Sequence, residues 1–294
     1  MFDFNSYHKA KSVDEAIALL SQNPEAIPLA GGTDVLVRLH GHNKNYRHLV
    51  DIHDVAELKK VTMESDGTIV IGSGMTFTGL AHSPVVCENI PVLNEGGSSI
   101  GGPQVRNVAT VGGNICNGAP SGDSASPLLV LNATVELKGP DGIRRLPLYD
   151  FYQGPGQVDR KAGEIMTCLR VAADDYRGWS AHYYKYAMRG AMDIATIGCG
   201  AACKVVDGKI AGLRLGFVVA GPTPLRCWRT EEKTIGMQAD EELIDIVKNS
   251  VLGDLRPRDS WRAAKDFREQ IIKTLAERVL REAIKRNIRN TEME

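Results

Sequence analysis

Two segments built around glycine pairs carry the residues best suited to chemistry in this chain. The first is residues 28–34 (PLAGGTD) and the second is residues 107–115 (NVATVGGNI). Each joins a glycine pair to small hydroxyl, amide or carboxylate side chains. Such loops let the backbone approach a ligand closely, and their successive N–H groups can converge on an anion. Two loops of this kind suit a long ligand, such as a dinucleotide with its pyrophosphate.

The elements around the first segment are predicted as strand, helix and strand. Residues 12–15 (SVDE) form a capping box, and apolar residues follow it at helical spacing. Residues 27–30 are predicted as a short strand that leads directly into the first glycine pair. Residues 48–52 are predicted as a second strand. These elements form a small first subdomain over about residues 1–55.

The second segment lies in a larger subdomain, predicted over about residues 56–176. Asp66-Gly67 and residues 139–142 (GPDG) each separate two strand-like runs, which predicts two hairpins. Residues 94–123 are rich in Gly, Ser, Asn and Thr and are predicted as an irregular, functional stretch. Residues 164–171 are predicted as the last strand of this subdomain.

The remaining residues, 177–290, are predicted as a separate C-terminal domain. The polar run at residues 174–178 (DDYRG) marks its boundary. Three strand-like runs follow at residues 181–187, 198–206 and 210–219, with helices after them. Asp259 or Ser260 is predicted to cap a last helix with Phe267, Ile271, Leu275 and Val279 at helical spacing. The chain is therefore predicted as an α+β protein with α/β subdomains.

Composition excludes several classes of function. The 294 residues are 43% hydrophobic and 24% charged, with a formal net charge of -1, which favours neither a nucleic-acid partner nor an anionic membrane. No apolar run reaches transmembrane length, and the start is not a signal peptide, so a cytoplasmic location is expected. The six cysteines are scattered without a C-x-x-C pair, which predicts reduced thiols and no metal or iron–sulfur site in this chain.

Simpler explanations exist for each motif taken alone. Gly31-Gly32 by itself could be a turn that needs positive φ, and Lys185 could be an exposed strand charge. Residues 198–203 (GCGAAC) nearly match the nicotinamide-binding G-x-G-x-x-G pattern, but they continue into a strand where that pattern needs a helix. Close packing in a sheet explains those glycines better. The histidines at 40, 42, 48 and 53 are interpreted as a polar surface segment.

Taken together, the two glycine segments resemble the FAD-binding medium subunit of the molybdenum hydroxylases, the xanthine dehydrogenase family. Residues 29–34 and 107–115, the latter extended by residues 120–123 (PSGD), match the two FAD motifs of that family. Residues 185–195 and 262–268 resemble parts of its C-terminal domain. The opening residues 1–4 are similar to the separate FAD subunit of bacterial xanthine dehydrogenases.

The resemblance implies a fold and a set of FAD contacts. The fold is a PCMH-type FAD-binding domain of two subdomains, followed by a C-terminal domain of the carbon monoxide dehydrogenase flavoprotein type. The backbone of residues 27–34 would hold the pyrophosphate, while residues 109–114 and Asp123 would hold the phosphate, ribityl and ribose side. Cys116 occupies a position that faces the ring in relatives. The implied cofactor-binding residues are Ile27, Pro28, Leu29, Ala30, Gly31, Gly32, Thr33, Asp34, Ala109, Thr110, Val111, Gly112, Gly113, Asn114, Asp123, Ile165, Met166 and Lys185.

The resemblance also implies partners. A small subunit with two [2Fe–2S] clusters and a large molybdenum-cofactor subunit would be separate chains, arranged as a dimer of heterotrimers. FAD would be bound non-covalently and NAD would be the acceptor, with no obligatory protein acid or base because the flavin carries the hydride chemistry. The implied activity is that of xanthine dehydrogenase. A nicotinate, aldehyde or carbon monoxide hydroxylase, a stand-alone flavin reductase and a non-catalytic flavin-binding assembly module are the alternatives.

Overall fold

The first sheet follows from the predicted strand, helix and strand at the start of the chain. The structure is a computed structural model that describes residues 4–293, so the part of the resemblance carried by residues 1–3 lies outside it. Its elements are β1 (Ser6–Lys9), α1 (Val13–Gln22), β2 (Ile27–Leu29), α2 (Val35–His40) and β3 (His48–Asp51). The strands are parallel in the order β1-β3-β2. The carboxyl end of β2 leads into the first glycine segment, as the sequence predicts.

The N-terminus of α1 confirms the predicted cap. Ser12 Oγ accepts a hydrogen bond from the N–H of Glu15 at 3.1 Å. Glu15 reaches back one residue further than a standard capping box, since its Oε2 accepts from the N–H of Lys11 at 2.8 Å. The buried residues of α1 pack with β3 and fix the first sheet; they are Val13, Ala16, Ile17 and Leu20.

The second sheet contains both predicted hairpins. Its five strands are ordered β4-β5-β10-β6-β7. These strands are β4 (Val61–Met63), β5 (Ile69–Gly72), β6 (Thr134–Gly139), β7 (Gly142–Pro147) and β10 (Ile165–Val171). Between β7 and β10 the chain forms α9 (Leu148–Phe151), β8 (Tyr152–Gly154) and β9 (Gln157–Val158). β8 and β9 form a separate two-stranded hairpin, and both strands contribute residues to the wall of the cavity described below.

The prediction that residues 94–123 are irregular is wrong. The chain between β5 and β6 forms short helices instead: α3 (Phe77–Ala81), α4 (Pro84–Asn89), α5 (Pro91–Ser98), α6 (Pro103–Arg106), α7 (Val111–Cys116) and α8 (Ala125–Val130). Proline at the first helical turn starts α4, α5 and α6, where the missing N–H has no intrahelical partner to lose. Glycine content hid these helices, because Gly96-Gly97 and Gly112-Gly113 lie inside them.

The C-terminal part is an antiparallel sheet covered by helices, as predicted. Its strands β11 (Ser180–Tyr186), β12 (Ile197–Val206), β13 (Lys209–Val218) and β14 (Leu225–Arg226) follow one another in spatial order. The rejected dinucleotide pattern lies in β12, where a Cβ on Gly198 would lie 2.4 Å from the hydroxyl of Tyr183. Close packing of the sheet therefore explains these glycines. The helices are α10 (Trp228–Glu232), α11 (Glu241–Ser250) and α12 (Lys265–Met293).

Helix α12 begins later than predicted. Ser260 lies in the preceding loop, and Asp259 Oδ1 accepts a hydrogen bond from the N–H of Lys265 at 2.7 Å, across that loop. Phe267 is 43% exposed and does not belong to the core-facing side of the helix. The fully buried side begins at Ile272, one residue after the predicted Ile271. The buried stripe is Ile272, Leu275, Ala276, Val279, Leu280 and Ala283. None of the helices in the described residues has the length and apolar character needed to cross a membrane.

Two buried arginines join the third sheet to the rest of the chain. Arg226 Nη1 donates to the carbonyl of Leu129 at 2.9 Å, and Arg214 Nη1 donates to the carbonyl of Val130 at 3.1 Å. Both carbonyls belong to the last turn of α8, where a helix leaves its final carbonyls without intrahelical partners. Arg226 also forms an ion pair with Glu231 at 2.6 Å. The C-terminal sheet thus caps a helix of the preceding part.

Candidate functional site: a cavity between two glycine segments

A cavity of about 790 Å³ opens where the first sheet meets the second. This volume lies within the range of small-molecule and cofactor sites. Both glycine segments line it, together with the hairpin of β8 and β9 and the start of β10. The predicted site residues found in its wall are Ile27, Pro28, Ala30, Gly31, Gly32, Thr33, Asp34, Ala109, Thr110, Gly112, Gly113, Asn114, Ile165 and Met166.

Two predicted residues belong to the core behind the wall. Leu29 is 9% exposed and packs in the small cluster of the first sheet. Val111 is fully buried in the main cluster of the second. Neither side chain lines the cavity, so these two residues support its wall from behind through packing.

Gly31 brings the two segments into direct contact. A Cβ at this position would lie 1.9 Å from the carbonyl oxygen of Val108, so no other residue fits without separating the segments. Gly32 follows with a φ of 73°, a conformation that glycine adopts without steric cost. The first glycine pair therefore fixes both the path of the loop and its distance from the second segment.

The first segment presents backbone donors that the protein itself does not use. Within the described residues, the N–H groups of Gly31, Gly32, Thr33 and Asp34 donate to no protein acceptor. Unpaired N–H groups are uncommon in folded proteins, and a consecutive run of them beside a cavity suits an anionic ligand. That this backbone holds a pyrophosphate stays a prediction.

The second segment differs, because most of its N–H groups are already bonded; the N–H of Thr110 is the exception among them. The N–H of Val111 donates to Met75 O at 2.9 Å, and that of Gly112 donates to Ser73 O at 2.9 Å. The N–H of Gly113 donates to Thr110 Oγ1 at 3.0 Å, which caps α7. Since these donors are used, the second segment contributes a close-packed wall and side chains, while the first contributes free backbone donors.

Asp123 and Lys185 lie behind the second segment and do not line the cavity. Lys185 Nζ contacts Asp123 Oδ2 at 2.8 Å and also donates to the carbonyls of Ser99 and Asp193. The Tyr183 hydroxyl donates to Asp123 Oδ1 at 2.7 Å. Burial raises the pKa of Asp123 above its ordinary value, against the opposing effect of Lys185. Their predicted contact with FAD stays a prediction. The hydrogen bonds form a buried link between β11 and the loop that precedes α8.

Several residues of the wall were not found by sequence reasoning. Arg38 lies one helical turn after the first segment, and Arg160 lies beside the hairpin of β8 and β9. The available signal for Arg38 was its spacing, four residues after Asp34 on a short helix. No sequence signal placed the hairpin residues, because they reach the cavity only through tertiary packing. The other wall residues outside the prediction include Tyr46, Ser73, Gly74, Ile100, Val105, Asn117, Gln153, Gln157 and Val158.

Cys116 lines the cavity at the end of α7. Desolvation raises the pKa of its thiol to about 12. The thiol is therefore neutral at physiological pH and acts as an apolar part of the wall rather than as a nucleophile.

Comparison with known proteins identifies the family. Residues 2–172 match the model of the FAD binding domain in molybdopterin dehydrogenase, and residues 182–283 match the CO dehydrogenase flavoprotein C-terminal domain. The chain belongs to this family. The predicted resemblance and fold class are confirmed.

Curated relatives match along nearly the whole chain. A putative xanthine dehydrogenase FAD-binding subunit of Escherichia coli K12 is 47% identical over 97% of both chains. A nicotinate dehydrogenase FAD-subunit of Eubacterium barkeri is 33% identical, covering 94% of this chain and 95% of the relative. Among solved structures, carbon monoxide dehydrogenase of Hydrogenophaga pseudoflava matches with a TM-score of 0.92 at 30% identity, over 97% of this chain and 99% of that one. This protein is thus an FAD-binding subunit of the molybdenum hydroxylase family and part of an oxidoreductase complex.

The residues of the cavity fit FAD. Its wall combines close backbone at Gly31, unpaired N–H groups in the first segment and apolar surface at Ile165 and Met166. A flavin dinucleotide needs the same three features: an anion site, a narrow channel and an apolar slot. The thiol of Cys116 in this wall is held neutral, which does not favour covalent attachment of a flavin at that residue.

Proposed function

We propose that this chain is the electron-transfer subunit of a xanthine dehydrogenase or related purine hydroxylase, linking [2Fe–2S] clusters of a partner to NAD through FAD. The observation that carries the proposal is the cavity walled by both glycine segments, with unpaired N–H groups on one side. FAD bound there would supply the step between one-electron and two-electron carriers. A cytoplasmic dimer of heterotrimers, with small iron–sulfur and large molybdenum subunits, completes the proposal.

The protein's own residues would bind and orient the cofactor. The N–H groups of residues 31–34 would hold the pyrophosphate, while Ile165 and Met166 would pack near the ring system. The buried link between Asp123 and Lys185 would hold the second segment in place and, by the family's pattern, lie close to the flavin. We propose the division at about residue 176 as the boundary between the FAD-binding domain and the C-terminal domain, with subdomains meeting near residue 55.

The choice of purine over other substrates rests on similarity. Identity is 47% to a xanthine dehydrogenase FAD-binding subunit and 33% to a nicotinate dehydrogenase FAD-subunit. Substrate oxidation itself would take place on the large subunit, so this chain sets the route of the electrons and not the substrate.

One experiment tests both the cofactor and the reaction. The isolated chain, reconstituted with flavin, is expected to bind FAD reversibly and to catalyse electron transfer from NADH to a dye, without hydroxylating xanthine. Coexpression with iron–sulfur and molybdenum subunits of a xanthine dehydrogenase is expected to give NAD reduction driven by xanthine in preference to nicotinate or an aldehyde. Failure to bind FAD would refute the proposal, and FAD binding without NADH–dye activity would favour a non-catalytic assembly module.

A further inference from the structure

Arg38 is a cation in the cavity wall without a carboxylate partner. Its Nη2 donates to Asn117 Oδ1 at 2.7 Å, and its Nη1 donates to the Tyr46 hydroxyl, over whose ring it also lies at 5.2 Å from the centroid. Among the described residues no carboxylate forms an ion pair with it, although Asp34 lines the same cavity four residues earlier. An arginine carries five N–H donors, so two hydrogen bonds leave most of its donor capacity unused.

Arg38 and the first glycine segment line the same cavity. In a helix, long side chains point back toward the N-terminus and cover the preceding turn. Arg38 lies in the middle of α2, and the turn before it begins with the unpaired N–H groups of residues 31–34. A partly buried guanidinium and a run of free backbone donors therefore line one cavity, and among the described residues Asp34, which also lines it, forms no ion pair with Arg38.

We propose that Arg38 is a specificity-determining residue that binds the pyrophosphate of FAD through its guanidinium, an inference that rests on the proposed function. Arginine binds phosphate oxygens in a bidentate, charge-assisted manner. Its two protein contacts are neutral acceptors, which orient the guanidinium without neutralising it. Arg38 thereby adds selectivity for the dinucleotide over flavins that lack a pyrophosphate.

A purely structural role makes a different prediction. Arg38 lies on α2 and Asn117 follows α7, so their hydrogen bond joins the two glycine segments across the cavity. If that bond were the only function of Arg38, removing Asn117 would reproduce the loss of Arg38. If the guanidinium binds the cofactor, Asn117→Ala leaves the charge in place and costs less FAD affinity than the loss of Arg38.

The test is a titration of apoprotein with FAD and with riboflavin, followed by flavin fluorescence at several salt concentrations. Arg38→Gln is expected to weaken FAD binding by about 10- to 100-fold and to reduce its salt dependence, with riboflavin binding unchanged. Arg38→Lys keeps the charge and is expected to lose less than Arg38→Gln. Asn117→Ala removes one orienting contact but keeps the charge, and it is expected to lose less FAD affinity than Arg38→Gln. Arg229→Gln removes the same charge from an exposed position outside the cavity and serves as the control.

Two outcomes overturn the inference. One is an Arg38→Gln variant that binds FAD with unchanged affinity and salt dependence. The other is a loss of affinity that is equal for FAD and riboflavin, or that Asn117→Ala reproduces in full. Either result would assign Arg38 to holding the segments together. In both cases the unmodified protein still binds FAD, so the proposed function stands, whereas unmodified protein that fails to bind FAD refutes both. Circular dichroism of each apoprotein verifies the fold, and Arg38→Lys carries the test if Arg38→Gln does not fold.

Discussion

At the scale of single residues, the two glycine pairs have different tasks. Gly31 permits contact between two segments far apart in the chain, while Gly112 permits contact with Ser73, the residue after β5, since a Cβ at Gly112 would lie 2.4 Å from that of Ser73. The sequence shows that both pairs are unusual, but it cannot show which N–H groups remain free. That distinction depends on acceptors at Ser73 and Met75, which lie more than thirty residues from the second pair.

Gly31→Ala tests the contact between the segments. The added methyl group would lie 1.9 Å from the carbonyl of Val108, so the segments must separate. We expect the free energy of unfolding to fall by about 1–3 kcal/mol and FAD occupancy to drop sharply. Denaturant unfolding and flavin content measure the two effects. Gly253→Ala, where a Cβ meets no atom within 4 Å, is the control and is expected to change neither.

Lys185→Met tests the buried ion pair. The side chains of Lys185 and Asp123 are 10% and 7% exposed, so the variant leaves an uncompensated carboxylate in the interior. We expect a loss of about 3–5 kcal/mol at neutral pH. Without Lys185 the pKa of Asp123, already raised by burial, rises further. A carboxyl whose pKa is higher in the folded than in the unfolded state favours folding when protonated, so the loss shrinks as the pH falls.

Unfolding in denaturant at about pH 5 and about pH 8 measures this dependence. The double variant Asp123→Asn with Lys185→Met removes both charges and is expected to recover much of the stability at the higher pH. A deficit in Lys185→Met that is the same at both pH values would contradict the assignment of Asp123 as the stranded charge.

At the scale of elements, strands were easier to predict than helices. Alternating apolar residues and Asp-Gly turns identified the hairpins and the three long strands of the C-terminal sheet. The short helices between β5 and β6 were missed because each is only four to eight residues long, too short for helical periodicity to show. Their proline starts and threonine caps were the signals that could have revealed them.

Thr110→Val tests the helix cap that lies in the cavity wall. Thr110 is 3% exposed, and its hydroxyl accepts from Gly113 N at 3.0 Å at the start of α7. Removing the acceptor leaves a helix N–H unpaired beside the cavity, and we expect a loss of about 1 kcal/mol in unfolding free energy together with weaker FAD binding. Thr110→Ser keeps the hydroxyl and is expected to retain the cap. Destabilisation of Thr110→Ser with none in Thr110→Val would show that the methyl group, not the cap, matters at this position.

At the scale of the whole molecule, the order of the parts could be predicted and their contacts could not. The two segments and the sheet-plus-helix end were sufficient to predict an FAD-binding part followed by a separate C-terminal part. The contacts between these parts depend on buried residues without any motif. Ser126, for example, is fully buried and donates through its Oγ to the carbonyl of Gly216 in β13 at 2.7 Å.

Gly200→Ala tests this contact. A Cβ on Gly200 in β12 would lie 2.8 Å from Ser126 Oγ, so the sheet must move away from α8. We expect a loss of about 1–3 kcal/mol in unfolding free energy with FAD binding preserved, because Gly200 lies outside the cavity wall. Adding Ser126→Ala should relieve part of the strain. Loss of FAD in Gly200→Ala, with the fold intact, would mean that the C-terminal sheet shapes the cofactor site directly.

The arginines that cap α8 have a consequence for protein engineering and for the history of such chains. Because Arg214 and Arg226 supply the donors for the last carbonyls of α8, a chimera that joins the first part of this protein to the C-terminal part of a relative must bring both arginines with it. A fragment that ends before β11 would leave the Val130 carbonyl and the apolar face of α8 without their cover, whereas the Leu129 carbonyl would keep the N–H of Asn132. Recombination between relatives is therefore expected to preserve this junction as one inherited unit, even where the rest of the C-terminal surface diverges.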